Sequence, residues 1–234
     1  MMNRRSFREA CLKNGLELSS LQEEQLQNYF LFLTETNKVM NLTAITEEEE
    51  VYEKHFYDSL LAFFHLNLEN KSLVDVGTGA GFPGLVLAIC FPKLSVTLIE
   101  PLNKRCRFLF ETVKKLGLKN VRIVNDRGEN YVKEHRASFD YAVARAVARL
   151  NVLLEIVLPL VKENGCFVAM KGRQGNEELE EADRALKILR GEVVDSRKSF
   201  LSDGEERINI YIAPKEKTPL KYPRPYAQIK KMPL

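Results

Sequence analysis

A chain of 234 residues, 45% hydrophobic and 29% charged, has the balance of an ordinary globular protein, which excludes disordered and fibrous classes. No run approaches the roughly 18 apolar residues of a bilayer-spanning helix; the best, Asn151–Val161, is broken by Glu155 and Pro159. The formal charge of +3 averages unlike parts: six Lys/Arg against twelve Asp/Glu in residues 1–70, 23 against 19 in 71–213, and six against one in 214–234. The start is charged from Arg4 to Glu9, and Cys11, Cys90, Cys106 and Cys166 are scattered with no C-x-x-C pair. A cytoplasmic, metal-free protein with reduced thiols is expected.

Residues 1–70 read as a helical N-terminal segment. Ser20-x-x-Glu23 and Thr46-x-x-Glu49 are capping-box patterns. Leu26, Tyr29, Phe30 and Leu33 follow the first at helical spacing; Val51, Phe56, Leu60 and Phe63 follow the second. Residues 71–213 alternate instead. Strands are predicted at Ser72–Val76, Ser95–Glu100, Val121–Asn125, Phe139–Ala144 and Gly165–Met170. Helices are predicted at Pro83–Cys90, Asn103–Leu116, Arg127–His135, Leu150–Glu163 and Asn176–Arg190. This is an α/β pattern, a Rossmann-like doubly wound parallel sheet. Val193–Phe200 and Arg207–Ala213, joined through Ser202-Asp203-Gly204, add an antiparallel hairpin at one edge. The basic tail, 214–234, holds five prolines and is expected to be extended and mobile, either a solubilising end or an arm on phosphates.

The first strand runs into Asp75-Val76-Gly77-Thr78-Gly79-Ala80-Gly81-Phe82-Pro83. Glycines let backbone turn sharply and approach a ligand closely, and Glu100 at the next strand end can accept from two ribose hydroxyls. An adenosine-containing ligand follows. Gly79-x-Gly81-x-x-Gly84 formally matches a dinucleotide fingerprint, but the glycine that directly follows the strand is Gly77, whose third slot is Phe82. Asp-x-Gly-x-Gly-x-Gly from Asp75 to Gly81 matches without a gap and resembles the first motif of S-adenosylmethionine methyltransferases. An acidic residue there suits a ligand with a cationic amino-acid end. An NAD-dependent oxidoreductase and a non-catalytic S-adenosylmethionine- or RNA-binding module stay open as alternatives.

Cations follow three strand ends: Lys104, Arg105 and Arg107; Arg145 and Arg149; Lys171 and Arg173. In a parallel sheet these gather on the ligand rim, which suggests a polyanionic substrate such as nucleic acid. No Asn-Pro-Pro-Tyr-type motif follows the fourth strand to grip an exocyclic amine, and no cysteine is placed to attack a pyrimidine ring. A ring nitrogen with a free lone pair, such as guanine N7, remains. Arg145 or Lys171 could orient such a base through O6.

The chain also resembles the bacterial 16S rRNA guanine-N7 methyltransferases, the glucose-inhibited division protein B family. The matching text is Asn41-Leu42-Thr43, His55-Phe56-Tyr57-Asp58-Ser59, Asp75–Pro83, Asn103-Lys104-Arg105, Asp126-Arg127-Gly128-Glu129, Ala144–Ala148 and Met170-Lys171-Gly172. The resemblance implies a class I methyltransferase fold and methyl transfer from S-adenosylmethionine to N7 of one guanine near the decoding centre. It implies cofactor contacts at Gly77, Phe82, Gly128, Glu129 and Arg145, beside the loop residues Asp75, Thr78, Gly79 and Glu100. The expected partner is 16S rRNA or the small ribosomal subunit, with no membrane and no metal, and the protein is expected to be a monomer. His55 and Asp58, three apart on a helix, read either as a polar seam to the sheet or as substrate contacts.

Overall fold

The computed structural model describes all 234 residues. One sheet holds β1 (Ser72–Val76), β2 (Ser95–Ile99), β3 (Val121–Val124), β4 (Phe139–Arg145), β5 (Val161–Lys171), β6 (Gly191–Phe200) and β7 (Glu206–Pro214). Their order is β3-β2-β1-β4-β5-β7-β6. The first five strands are parallel, whereas β7 runs antiparallel to both β5 and β6. The order reverses between β1 and β4, so a crevice opens at their carboxyl ends.

The N-terminal helices cover one face. These are α1 (Arg4–Lys13), α2 (Ser20–Met40), α3 (Glu48–Glu50), a π-helical stretch Val51–Tyr57, and α4 (Asp58–Leu61). Helix α2 buries Leu26, Tyr29 and Leu33, one stripe at i, i+3 and i+7. That stripe joins Phe7, Phe56 and Phe63 in a single apolar cluster with Leu85 of α5 (Gly84–Cys90) and Phe108 of α6 (Asn103–Leu116). Residues 1–70 therefore share their core with the sheet. Cys90 and Cys106 are buried in the sheet-covering helices.

The other face carries α7 (Gly128–Tyr131), α8 (Leu150–Val157), α9 (Gly175–Glu181), α10 (Asp183–Leu189) and α11 (Tyr226–Lys231). Helix α11 belongs to the tail, which is docked rather than extended and mobile. Tyr222 and Ile229 are buried in the second apolar cluster, and Ile229 alone contributes about 1.5–3 kcal/mol. Arg136 donates to the carbonyls of Tyr222 at 2.6 Å and Thr218 at 2.7 Å. Arg224 pairs at 2.6 Å with Glu155, a carboxylate with no solvent exposure. The tail's prolines reduce the entropy lost when it orders.

Other boundaries shift for local reasons. The capping box on α2 is Ser19 with Gln22, one residue before the expected pair. Glu47, not Thr46, precedes α3, without a side-chain cap. The helix expected over Leu150–Glu163 ends at Val157, because Pro159 cannot continue it; a 3₁₀ turn follows and β5 starts at Val161. The helix expected over Arg127–His135 shrinks to α7, and that over Asn176–Arg190 splits at Ala182 into α9 and α10.

Candidate active site

The glycine loop leaves β1 with Gly77, Gly79 and Gly81 all at positive φ, between +62° and +104°. At Gly81 there is also no room, since a Cβ would stand 2.8 Å from the Tyr29 hydroxyl. Gly84, the third glycine of the dinucleotide fingerprint, is consumed by packing: a Cβ there would lie 2.9 Å from Asp75 Oδ2. Asp75 Oδ2 accepts from the Thr78 hydroxyl at 2.6 Å and the Gly84 N–H at 2.9 Å, while its Oδ1 is buried with no partner. Burial pushes the Asp75 carboxyl up to about 7, against the opposing pull of those donors and of Arg145. Glu100, also buried, accepts from the Gly79 N–H at 3.0 Å and the Leu102 N–H at 2.9 Å, and so staples the loop to the end of β2.

After β3, Gly128 packs against Val76 and Ile156, where a Cβ would come within 2.9 and 2.7 Å. Glu129 beside it is buried and accepts from Arg127 Nε at 2.7 Å. Both residues thus follow the end of β3, Gly128 packed closely and Glu129 with a carboxylate already held by one arginine.

The end of β4 meets the N-terminal layer. Arg145 donates to Asp58 Oδ2 at 3.0 Å and to the Lys54 carbonyl at 3.1 Å, and its Nη2 lies 3.3 Å from His55 Nδ1. Its guanidinium also stands 5.2 Å from the Phe82 ring centre, and the His55 ring stacks on Phe82 at 4.4 Å. His55 Nδ1 lies between the Lys54 carbonyl at 3.2 Å and Arg145 Nη2 at 3.3 Å; because a guanidinium can only donate, the Arg145 contact takes Nδ1 as its acceptor, with Nε2–H donating to Thr43 Oγ1 at 2.9 Å. Burial and the Arg145 charge push His55 down to about 3, so its ring is neutral. Asp58 Oδ1 accepts from a second arginine, Arg207 Nε, at 3.0 Å. The polar seam and the site wall are thus the same residues, Lys54 and His55 on a π-helical segment, a device common at functional sites, and Asp58 at the start of α4.

At the end of β5, Lys171 Nζ donates to the Ala148 carbonyl and to Glu178 Oε2, both at 2.7 Å. Burial lowers the Lys171 ammonium below its ordinary value, opposed by Glu178. Arg145, Lys171, Asp58, His55, Lys54 and Glu178 all line one cavity of about 750 Å³. Arg149 and Arg207 complete its charged wall. Between this cavity and the glycine loop lies the 146–148 segment: Ala146 turns with φ +56°, and Val147 rests on Gly77, 2.8 Å from where a Cβ would be.

The expected rim of seven cations is only partly assembled. Arg145, Arg149 and Lys171 meet at the cavity; Lys104, Arg105, Arg107 and Arg173 do not line it. Arg105 instead approaches Glu100 at 3.7 Å, and Arg149 pairs with Glu181 at 2.6 Å. Lys54 and Arg207 take the missing places, and sequence reasoning overlooked both. The signal for Arg207 was available: a strand antiparallel to β5 begins at the edge where β5 ends, and Ile208 pairs with Lys171. Asp58, Glu178 and Glu205 offset much of the positive charge, so this is a mixed wall rather than a basic one.

Comparison with known proteins supplies the family. Residues 22–207 match the family model for rRNA small subunit methyltransferase G. A curated protein of that name from Listeria welshimeri is 46% identical over the whole of both chains. Another, from Staphylococcus saprophyticus, is 49% identical over 94% of each. Among solved structures, M. jannaschii TYW2 in complex with AdoMet aligns with TM-score 0.56 at 17% identity, over 68% of this chain and 74% of that one. A 16S rRNA adenine N1-methyltransferase from Catenulisporales acidiphilia aligns with TM-score 0.52 at 18% identity, over 64% and 87%. These structural likenesses speak to the fold. The chain belongs to the rRNA small subunit methyltransferase G family, on the Rossmann-like sheet of the class I S-adenosylmethionine-dependent methyltransferases.

Proposed function

We propose that this protein transfers the methyl group of S-adenosylmethionine to N7 of a guanine in 16S rRNA, in the small subunit or a precursor of it. The observation that carries this reading is the convergence of Arg145 and Lys171 on one cavity directly beyond the glycine loop. The loop residues fit the cofactor. Asp75 Oδ1 is a buried acceptor in need of a donor, which the cofactor's ammonium would be. Glu100 keeps acceptor capacity for ribose hydroxyls beyond its two backbone donors. Gly79 has nothing within 4 Å of a would-be Cβ, so backbone is open to approach there. Gly77, Thr78, Phe82, Gly128 and Glu129 complete the proposed binding surface.

S-adenosylmethionine, when bound, supplies a methyl group activated by its sulfonium. Guanine N7 carries a lone pair and no proton, so the chain needs no general base and its work is orientation. The base turns cationic as the bond forms, and bare positive charge around it would oppose the reaction. Arg145 is paired with Asp58 and Lys171 with Glu178. Each can donate a hydrogen bond while presenting little net charge. Small ribosomal subunits from a strain lacking this gene, incubated with the protein and labelled cofactor, should yield 7-methylguanosine at a single 16S rRNA site by mass spectrometry. A different methylated nucleoside, or none with the cofactor bound, would refute the reading.

A further inference from the structure

We propose that Glu178 is a specificity-determining residue that reads the Watson–Crick edge of the acceptor guanine beside Lys171, an inference that rests on the N7 reading above. Three carboxylates line the cavity, and two of them are spent. Asp58 gives one oxygen to Arg145 and the other to Arg207. Glu205 gives one to Lys54 at 3.3 Å and the other to Arg207 at 3.0 Å. Glu178 differs. Its Oε2 accepts from both Lys171 Nζ and the Leu150 N–H, at 2.7 and 2.8 Å, and its Oε1 takes no hydrogen bond.

The fold holds this residue where a base would enter. Gly175 lets α9 lie directly on the sheet: a Cβ there would stand 2.8 Å from Ile208 and 3.0 Å from Lys171 Cβ. Three residues on, the Glu178 side chain is only 13% exposed and meets an ammonium that is 7% exposed. An ammonium has three donors, and Lys171 uses one on Ala148 and one on Glu178. One donor and one carboxylate oxygen thus remain side by side.

Guanine offers the complement. Its O6 accepts, and its neighbours N1–H and N2–H₂ donate. Lys171 supplies the donor to O6 and Glu178 Oε1 receives N2–H, which leaves N7, on the other edge, clear for the methyl group. Adenine would turn its N6 amino group toward the ammonium and the N1 lone pair toward the carboxylate. A site built to accept a donor rejects the analogue that lacks it, because its own polar group is left unpaired.

Inosine isolates the contact, since it keeps O6, N1–H and N7 and lacks only the N2 amino group. The test measures kcat/KM on small subunits reconstituted with 16S rRNA carrying guanosine or inosine at the methylated position, for wild type and Glu178→Gln. Wild type should prefer guanosine by about tenfold to a hundredfold. In Glu178→Gln an amide can turn its N–H groups toward the donors of the base; guanosine should slow by a similar factor, and the preference should shrink to within about threefold. Equal wild-type rates on the two substrates, or an unchanged preference in the variant, would overturn the proposal. If the variant unfolds, the wild-type ratio decides alone. Absence of 7-methylguanosine from wild type on the guanosine substrate would instead break the N7 reading beneath it.

Discussion

The tail and the cavity both looked basic, and both suggested phosphate binding, yet they use arginine in opposite ways. In the tail, Arg224 spends its Nε, one Nη and its own backbone N–H on the single carboxylate of Glu155, at 2.6 to 3.2 Å, and the acid is fully buried. That same Nη2 also reaches the Met232 carbonyl at 3.0 Å, so only Nη1 keeps free donors. In the cavity, Asp58 is divided between Arg145 and Arg207, and both arginines line open space. There the arginines keep donors on open space while the shared carboxylate offsets their charge. Where one acid closes one arginine, the pair is a clasp that holds the chain down.

The sharpest way to break this contrast is Arg224→Ala. It leaves the Glu155 carboxylate buried without its partner, and such a loss costs about 3–5 kcal/mol. Urea unfolding should register it, while specific activity of the folded fraction stays at the wild-type level. Replacing both members with apolar residues should recover most of the loss, because a buried pair and a well-packed apolar pair are of similar stability. If Arg224→Ala instead lowered RNA methylation without lowering stability, the tail would be an arm after all. Arg145→Ala should do the reverse. Asp58 keeps Arg207 as a partner, so stability should fall little, whereas turnover should drop by about 10²–10³, the size seen when one positioned donor is lost. Arg145→Lys should not rescue it, since one ammonium cannot reproduce a planar fork that reaches Asp58, the Lys54 carbonyl and His55 together. Turnover within threefold of wild type at saturating substrate would remove Arg145 from the site.

Much of this was legible from local signals. The β1 strand running into Gly77, Gly79 and Gly81 specified both the turn and the ligand edge, because positive φ at three successive alternate residues leaves few other solutions. The alternation of strands and helices specified the parallel sheet, and Ser202-Asp203-Gly204 the hairpin. What stayed hidden depends on partners distant in sequence. Glu155 and Arg224 are 69 residues apart, and nothing near either one marks the pair. Of the tail's apolar residues only Tyr222 and Ile229 are buried in the core, and two positions give no periodicity to read. Lys54 and Glu178 read as ordinary surface charges, and only the packing of the π-helical segment and of α9 brings them to the cavity. His55 and Asp58 could be placed on one helix face, but their common target, Arg145, lies on another element some 90 residues away.

The neutral imidazole of His55 gives the smallest and most specific test of the cavity side. The ring stacks on Phe82, takes a hydrogen bond from Arg145 and has its pKa pushed down from 6.5 to about 3. An unfolded chain would protonate this histidine near 6.5, whereas the folded one resists until far lower. The unfolded state therefore binds more protons across that window. Stability supplied by the neutral ring is complete above 6.5 and drains away as the pH falls toward 3. At pH 5 the loss should amount to about 2 kcal/mol, from 1.36 kcal/mol for each unit below the unfolded value. His55→Gln cannot titrate. Its denaturation midpoint should fall less than the wild-type midpoint between pH 7 and pH 5, even though its absolute stability at pH 7 is lower for want of the stack. The tail clasp should show no such difference, since it contains no histidine and Arg224 is held charged by Glu155. Parallel pH slopes for wild type and His55→Gln would mean that the imidazole carries a proton in the folded state. Arg145 would then face a cation instead of an acceptor, and the geometry assigned to the cavity wall would have to be redrawn.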